Sequence, residues 1–347
     1  MGAAGRTDRP LPTGPVALRL TLMRYPAPVF ALVAPVLAGC GGDWPEPTPI
    51  ATETLLAEHE EWRAYREGRL VTPPGGAVLW MGLWDLPPGS VWFGSGESLP
   101  IRLPAEDAPP LAGTLRREGQ TVMLEPAPGS NIRLRTGDPA EGDAVERTVT
   151  EPTMLENDRS DEPTTVLVGS LGLRVHSEPG TDRLWVRAWD EDSPQRETFR
   201  LPPYYPVSDD WRVAARFEPY DEPQTLRVPD VRGGTVEYRV PGELRFQVGG
   251  EEHALVATAG ETSSSFFVMM WDSTATVNTY QAGRYLRVEL PDDDGWTEID
   301  FNRAYNAPCV FTPHSVCALP PRPNWLALHV TAGEQRPDPP FYQEPGS

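Results

Sequence analysis

Proline is the residue that most constrains what this chain can fold into. The 347 residues include 41 Pro and 31 Gly, and Pro-Gly, Pro-Pro and Gly-Gly pairs recur between short runs of apolar and β-branched residues. Proline disrupts helix interiors and central strands, while glycine takes the backbone angles that tight turns need. This distribution of Pro and Gly predicts many short strands joined by turns, and few long helices.

The strand-like runs fall into two groups, which predicts two packed β-sandwich or barrel-like units. Short strands separated by turns are typical of sandwiches. Strands and helices do not alternate along the sequence, which argues against a Rossmann-type sheet. We therefore expect a mainly β protein, with hairpin turns at Pro241-Gly242 and at 249–252. The runs interpreted as strands include 77–83, 90–94, 121–124, 132–135, 184–189, 211–217, 234–240, 243–248, 266–271, 284–290, 296–301 and 325–330.

One segment has the period of an amphipathic helix. Between residues 53 and 67, Leu55, His59, Trp62 and Arg66 recur every three or four positions, which places them on one helix face. Thr52 is suited to cap this helix and Gly68 to end it. We predict that the helix docks on a sheet through Trp62.

The start of the chain has the pattern of a bacterial export signal. From Met23, a short positive start and an apolar run lead to Leu37-Ala-Gly-Cys40, which resembles the lipobox in which the cysteine is lipidated. An ordinary secretory signal with a chance cysteine is the alternative, and either Met1 or Met23 is the start. The expected segments are a leader and signal peptide at 1–40, a Pro-rich tether at 41–52, a helix with an N-terminal β unit at 53–205, a C-terminal β unit at 206–335 and a loose tail at 336–347.

Charge and targeting together limit the partners. The net charge is −20, and all 30 basic residues are Arg, which fits either a GC-rich coding bias or a salt-adapted surface. An acidic chain without a basic patch argues against nucleic-acid binding. We expect a palmitate-bearing envelope lipoprotein, held to the membrane through Cys40 and facing the periplasm or the exterior.

The remaining cysteines, Cys309 and Cys317, allow two interpretations. In an oxidising compartment they predict one disulfide bond. With His314 they supply three potential zinc ligands, one short of a structural site. We expect the disulfide, no metal and no cofactor.

Motifs in the C-terminal half resemble those of a known family. They are Asp272-Ser-Thr-Ala-Thr-Val-Asn-Thr-Tyr280-Gln-Ala-Gly-Arg284, Asp300-Phe-Asn-Arg-Ala-Tyr-Asn306, Cys309…Cys317-Ala-Leu-Pro-Pro and Ala332-Gly-Glu334. These motifs resemble the bacterial and archaeal domain-of-unknown-function 1684 family, over roughly residues 53–335. The resemblance implies a shared fold and specifies no chemistry.

A weaker resemblance concerns the N-terminal unit. Turn-separated strands that lead to Gly169-Ser-Leu-Gly-Leu-Arg-Val175 faintly resemble a forkhead-associated sandwich. The phosphothreonine-reading residues of that family are not evident, so we expect no phosphopeptide binding. His176, which follows this run, is expected at the surface.

Three carboxylates are the candidates for catalysis: Asp272, Asp300 and Glu334. Two carboxylates can serve as acid and base in sugar hydrolysis if folding sets them a few ångströms apart. Arginine forks can hold a carboxylate or phosphate. The candidate ligand-binding residues are Tyr280, Arg284, Asn302, Arg303 and Asn306.

Three functions remain open for these residues. The first is binding of a small molecule or glycan near the 272–306 motifs. The second is a hydrolase that uses Asp272 and Asp300 as acid and base. The third is a structural or partner-binding envelope protein, in which the same residues form a buried network that orders an irregular loop. Whether the protein is an enzyme is left open by the sequence.

Overall fold

The mainly β class is confirmed by the computed structural model, which has 18 strands and two α-helices among the residues it describes. Those residues are 44–341, except 105, 107, 138, 140, 141, 179, 261, 262 and 339. The residues from Trp44 onward cluster as one compact unit. The leader, the lipidation site Cys40 and most of the predicted tail lie outside the described residues. The unit boundary predicted between 205 and 206 stays a prediction.

The elements follow one another as mostly short strands with a long helix in front. The helices are α1 (Thr52–Val71) and α2 (Gln195–Thr198). The strands are β1 (Trp80–Asp85), β2 (Gly89–Gly94), β3 (Ile101–Arg102), β4 (Gly113–Glu118), β5 (Thr121–Pro126), β6 (Arg133–Thr136), β7 (Val145–Thr148), β8 (Thr153–Leu155), β9 (Thr165–Val168), β10 (Leu171–Ser177), β11 (Leu184–Asp190), β12 (Arg212–Pro229), β13 (Thr235–Val248), β14 (Glu251–Ala257), β15 (Ser265–Met270), β16 (Arg284–Glu289), β17 (Trp296–Asp300) and β18 (Tyr305–Asn306).

Strands β1 to β11 form a sandwich of two sheets. One sheet has the order β1-β11-β10-β9-β6-β7 and the other β3-β2-β4-β5-β8. Phe93 and Leu124 from the second sheet share a core with Leu173 and Val186 from the first. Since side chains alternate along a strand, the intervening residues of β10 and β11 lie on the opposite face of their sheet.

Strands β12 to β18 form a second pair of sheets. A four-stranded sheet has the order β14-β13-β12-β17, and a three-stranded sheet has the order β15-β16-β18. Phe246 and Leu255 of the first share a core with Phe266 and Leu286 of the second. This core supports the irregular segments that carry most of the family-like motifs.

One predicted hairpin turn is wrong. Strand β13 runs without a break through Pro241 and Gly242, and the irregularity falls on β12, between Pro219 and Gln224. Gly242 instead allows β12 to pass close to β13, because a Cβ at this position would lie 2.2 Å from the carbonyl oxygen of Glu218. The other predicted turn is confirmed, with positive φ at its two glycines, 249 and 250.

The strand predicted at 325–330 is also wrong, although Leu326 and Val330 are buried. The backbone carbonyls of this segment have other partners. Arg284 Nη2 donates to the carbonyl of Val330 over 3.1 Å, and the amide of Ser273 donates to the carbonyl of Leu328 over 2.9 Å. The apolar pattern of residues 325–330 therefore indicates a buried segment that forms no strand ladder.

Helix α1 is longer than predicted. It begins at Thr52, so that Ala51 holds the cap position without a side-chain hydrogen bond, and it continues past Gly68. Leu70 is 3% exposed, and the burial of its side chain favours the extra turn. Trp62 is half-buried, and its ring meets Tyr204 edge to face with centroids 6.0 Å apart.

Candidate functional site

Asp272 and Arg284 form a buried ion pair. Arg284 lies at the start of β16 and is 0% exposed, while Asp272 is 2% exposed. The guanidinium Nη2 lies 2.8 Å from Oδ2 of Asp272, and the other carboxylate oxygen accepts from the amide and hydroxyl of Thr274. Arg284 also donates to the carbonyls of Val330 and Ala332. The pair thereby holds the 330–332 segment against β16.

Glu334 is the centre of a second buried network. Its carboxylate is 0% exposed and accepts from Arg66 Nε over 3.0 Å, from the Tyr204 hydroxyl over 2.7 Å and from the amide of Asn306 over 2.7 Å. Burial and the nearby Glu334 carboxylate raise the pKa of Tyr204, so this hydroxyl stays a donor. Arg66, from α1, also donates to the carbonyl of Asn306.

Asp300 belongs to a third network. Its Oδ1 accepts from the backbone and side-chain nitrogens of Asn302, and its Oδ2 lies 3.1 Å from Nε of Arg303. The side chain of Asn302 accepts a hydrogen bond from the backbone amide of Ser208 through Oδ1 and donates one to the Ser208 carbonyl through Nδ2. His59 of α1 lies 2.9 Å from the Asn302 carbonyl oxygen, and burial lowers the pKa of this histidine.

The predicted acid and base therefore have different ion-pair partners. Asp272 pairs with Arg284 and Asp300 with Arg303. Glu334, the third candidate, is bound by Arg66. All three carboxylates serve as acceptors that order irregular backbone.

Cys309 and Cys317 lie side by side in the core around β16. The amide of Cys309 lies 3.1 Å from Sγ of Cys317, and both residues are buried thiols in this structure. The hydrogen bond to Cys317 and burial raise the pKa of Cys309, while a bond to Tyr280 opposes the rise. The disulfide stays a prediction. Among residues 44–341 that are described, no three His, Cys, Asp or Glu side chains gather as a metal site.

An arginine-rich cavity opens between α1 and β16. Its volume is about 450 Å³. Sequence reasoning singled out Arg303 as ligand-binding and placed Arg66 on the helix face, but missed the other cavity arginines. The residues that line it are Trp62, Tyr65, Arg66, Arg69, Ser265, Arg287, Glu289, Arg303 and Tyr305.

The charge in this arginine cavity is only partly neutralised. Arg66 is tied to Glu334 and Arg303 to Asp300. Arg69 and Arg287 make no ion pair within 4.0 Å in the described part of the chain. Arg287 lies over the ring of Phe267 at 4.9 Å instead, and the guanidinium of Arg66 lies 4.7 Å from the Tyr305 ring centroid.

A signal for this cavity was present in the sequence. Arg66 and Arg69 are three residues apart on the helix, so they share a face. Arg287 and Glu289 alternate with buried residues of β16, which places them on one outer face. What the sequence did not show is that these two faces meet.

These features define a β protein whose irregular C-terminal segments are ordered by buried charge networks, beside an arginine cavity. Residues 197–335 match the family model described as "Protein of unknown function (DUF1684)". The match supports the resemblance given by the motifs, and it spans less than half of the chain. Helix α1, which contributes four of the nine residues that line the cavity, lies outside the matched segment.

Other comparisons add little to this assignment. A solution NMR structure of an uncharacterised protein from Haloarcula marismortui is similar to this chain, with 34% identity over 41% of this chain and 80% of that chain, at a TM-score of 0.35. None of the curated proteins matches. In the part of the chain that the structure describes, no helix is both long and apolar enough to cross a membrane.

Proposed function

We propose that the protein is an envelope lipoprotein that binds an anionic small molecule or glycan in the arginine cavity. The observation that carries the binding proposal is the pair Arg69 and Arg287, which line a cavity of about 450 Å³ without a carboxylate partner among the described residues. The anchoring proposal rests on the sequence that ends at Cys40.

The cavity has the chemistry that an acidic sugar requires. Guanidinium forks bind carboxylate and phosphate groups through parallel hydrogen bonds. Trp62, Tyr65 and Tyr305 add aromatic surface beside the charges, against which the apolar face of a sugar ring can pack. Arg66 and Arg303 are paired with carboxylates, so the positive charge that this cavity offers in a chain with a net charge of −20 comes from Arg69 and Arg287.

The family-like motifs take a supporting part in this proposal. The network at Glu334 fixes Arg66, and the network at Asp300 fixes Arg303. Two of the four cavity arginines are thus held in place before a ligand arrives, which lowers the entropy lost on binding. The hydrolase alternative gains no support from the geometry, because Asp272 and Asp300 bind different arginines.

The binding test compares an acidic sugar with its neutral counterpart. The full chain with Cys40→Ser is titrated with D-glucuronate and with D-glucose by calorimetry. We expect binding of glucuronate alone, with an affinity that falls as salt rises. Arg69→Gln combined with Arg287→Gln should weaken it about 100-fold, since each charged hydrogen bond contributes about 1.4 kcal/mol or more.

The control variant is Arg147→Gln, which removes one positive charge from an exposed position on β7, away from the cavity. It should leave the affinity unchanged. Equal binding of the two sugars, or an unchanged affinity in the double variant, would contradict the proposal.

The anchor has its own test. Cells that express the natural chain should retain it in the membrane fraction, and Cys40→Ser should move it to the soluble fraction. A natural chain that is recovered in the soluble fraction would refute the lipoprotein assignment and leave the binding proposal standing.

A further inference from the structure

A second charged cluster lies on the outer face of the six-stranded sheet. Arg174 of β10 and Arg187 of β11 face each other directly in the strand register. Their neighbours Leu173, Val175 and Val186 belong to the sandwich core, so both arginines lie on the face turned away from it.

These two arginines line a small cavity, separate from the arginine cavity described above. Its volume is about 140 Å³. The floor includes Trp189, which packs so closely over Gly172 that a Cβ there would lie 2.3 Å from the indole. The cavity therefore depends on a glycine near the start of β10. Asp158, His176 and Trp80 complete the wall.

Arg187 lacks a full set of partners in this cavity. Its side chain is 13% exposed, and its closest carboxylate oxygen, Oδ2 of Asp158, is 3.9 Å away. Its Nε is buried and has no hydrogen-bond partner in the described chain. The guanidinium lies 4.0 Å above the ring of Trp80. Burial lowers the pKa of Arg187 to about 10, which reflects a charge that its surroundings compensate poorly.

Asp158 compensates this charge only in part, because its closer partners are other groups. Its Oδ2 lies 2.5 Å from Nδ1 of His176, and its Oδ1 accepts from the amide of Ser177 over 3.0 Å. His176, expected at the surface, is thereby a partly buried wall of the cavity. Burial lowers the pKa of His176, so its ring adds no positive charge to the cavity at neutral pH.

We propose that this cavity is a binding site for a single carboxylate or phosphate group, held between Arg187 and Arg174. An anion there supplies the acceptor that Arg187 Nε lacks. Arg174, which donates to the hydroxyl of Thr165 from Nε and Nη2, is fixed in place and contributes the second positive charge. The parallel N–H donors of a guanidinium fork match two oxygens of a carboxylate or phosphate group, which gives a geometry that selects these groups.

The rest of the ligand meets a different environment. A wider cavity of about 620 Å³ adjoins the small one, and the two share Pro74 and Arg174. Asp143, Asp161 and Glu162 line the wider cavity. Because these carboxylates repel a second anionic group, the bound anion is best joined to a neutral or cationic remainder, as in an amino acid.

The test is calorimetric titration of the full chain carrying Cys40→Ser with three probes: glycine, acetate and inorganic phosphate. We expect at least one of them to bind, and Arg187→Gln to weaken it by about tenfold or more. Because the variant removes a poorly compensated buried charge, its melting temperature without ligand should stay level or rise, which separates lost binding from lost folding.

Two control variants assign the site. Arg159→Gln removes one positive charge next to the cavity from an exposed residue that does not line it, and it should bind as the natural chain does. Arg69→Gln with Arg287→Gln should also leave this binding intact. The proposal is overturned if none of the probes binds at millimolar concentration, if Arg159→Gln weakens binding as much as Arg187→Gln does, or if the binding disappears only in the arginine-cavity variant.

Discussion

Replacing Asp272 by Ala tests the view that the family-like motifs hold the fold. The change leaves the guanidinium of Arg284, which is 0% exposed, without its only carboxylate partner in the described chain. It also leaves the amide and hydroxyl of Thr274 without their acceptor. Breaking a buried ion pair from one side costs about 3–5 kcal/mol, because the remaining charge is uncompensated.

This cost should appear as a large drop in thermal stability. One kcal/mol shifts the melting temperature of a domain of about 150–250 residues by about 2–4 °C, so Asp272→Ala should lower it by about 6–20 °C. Urea unfolding of the full chain with Cys40→Ser, followed by tryptophan fluorescence, gives the same quantity as a free energy.

A double variant separates the charge from the packing. Asp272→Leu together with Arg284→Met removes both charges and keeps apolar volume, so it should be less destabilised than the sum of the single variants. The reasoning is refuted if Asp272→Ala unfolds within about 1 kcal/mol of the natural chain, since an uncompensated buried charge cannot cost so little.

Three further predictions concern other buried groups. Burial raises the pKa of Glu178 above 4.5, and Asp230 adds to the rise. The free energy of unfolding should therefore fall as the pH rises through this raised pKa. In urea unfolding, Glu178→Gln should stabilise the chain at pH 7, and this gain should vanish near pH 4. Asn324→Ala should cost about 2–4 kcal/mol, since its side chain bonds three backbone groups in the core that would lose their partners; the matched change Asn278→Ala, at an exposed position, should cost little. Oxidation of Cys309 and Cys317 to a disulfide should stabilise by roughly 2–3 kcal/mol through closing a short loop, as measured by unfolding with and without reductant, and an identical midpoint would contradict the pairing.

The strands could be predicted where the spacing of apolar residues and the flanking turn residues agree. Runs such as 184–189 and 284–290 alternate or stay apolar between clear turns, and they form β11 and β16. The sequence misled at Gly242, where a glycine permits a close approach within a strand, and at 325–330, where an apolar run is buried without a ladder. In both cases the deciding contact comes from residues distant in sequence, which local patterns do not encode.

The candidate site was predictable as a list of residues and not as an arrangement. Asp272, Arg284 and Glu334 were singled out by type and motif, but only the fold shows that each carboxylate meets a different arginine. Arg187 was not among the candidate site residues, because an arginine that alternates with tryptophans on β11 is typical of an ordinary outward position. Its poor compensation follows from Asp158 being committed to His176.

The bond between Arg66 and Glu334 joins residues 268 positions apart. A ribosome that adds about 5–20 residues per second finishes the partner roughly 13–54 s after the helix residue. Throughout that interval, α1 lacks the carboxylate that anchors it. A nascent chain of this kind stays accessible to chaperones until the segment that carries Glu334 is made, and the contact that then forms joins that segment to helix α1.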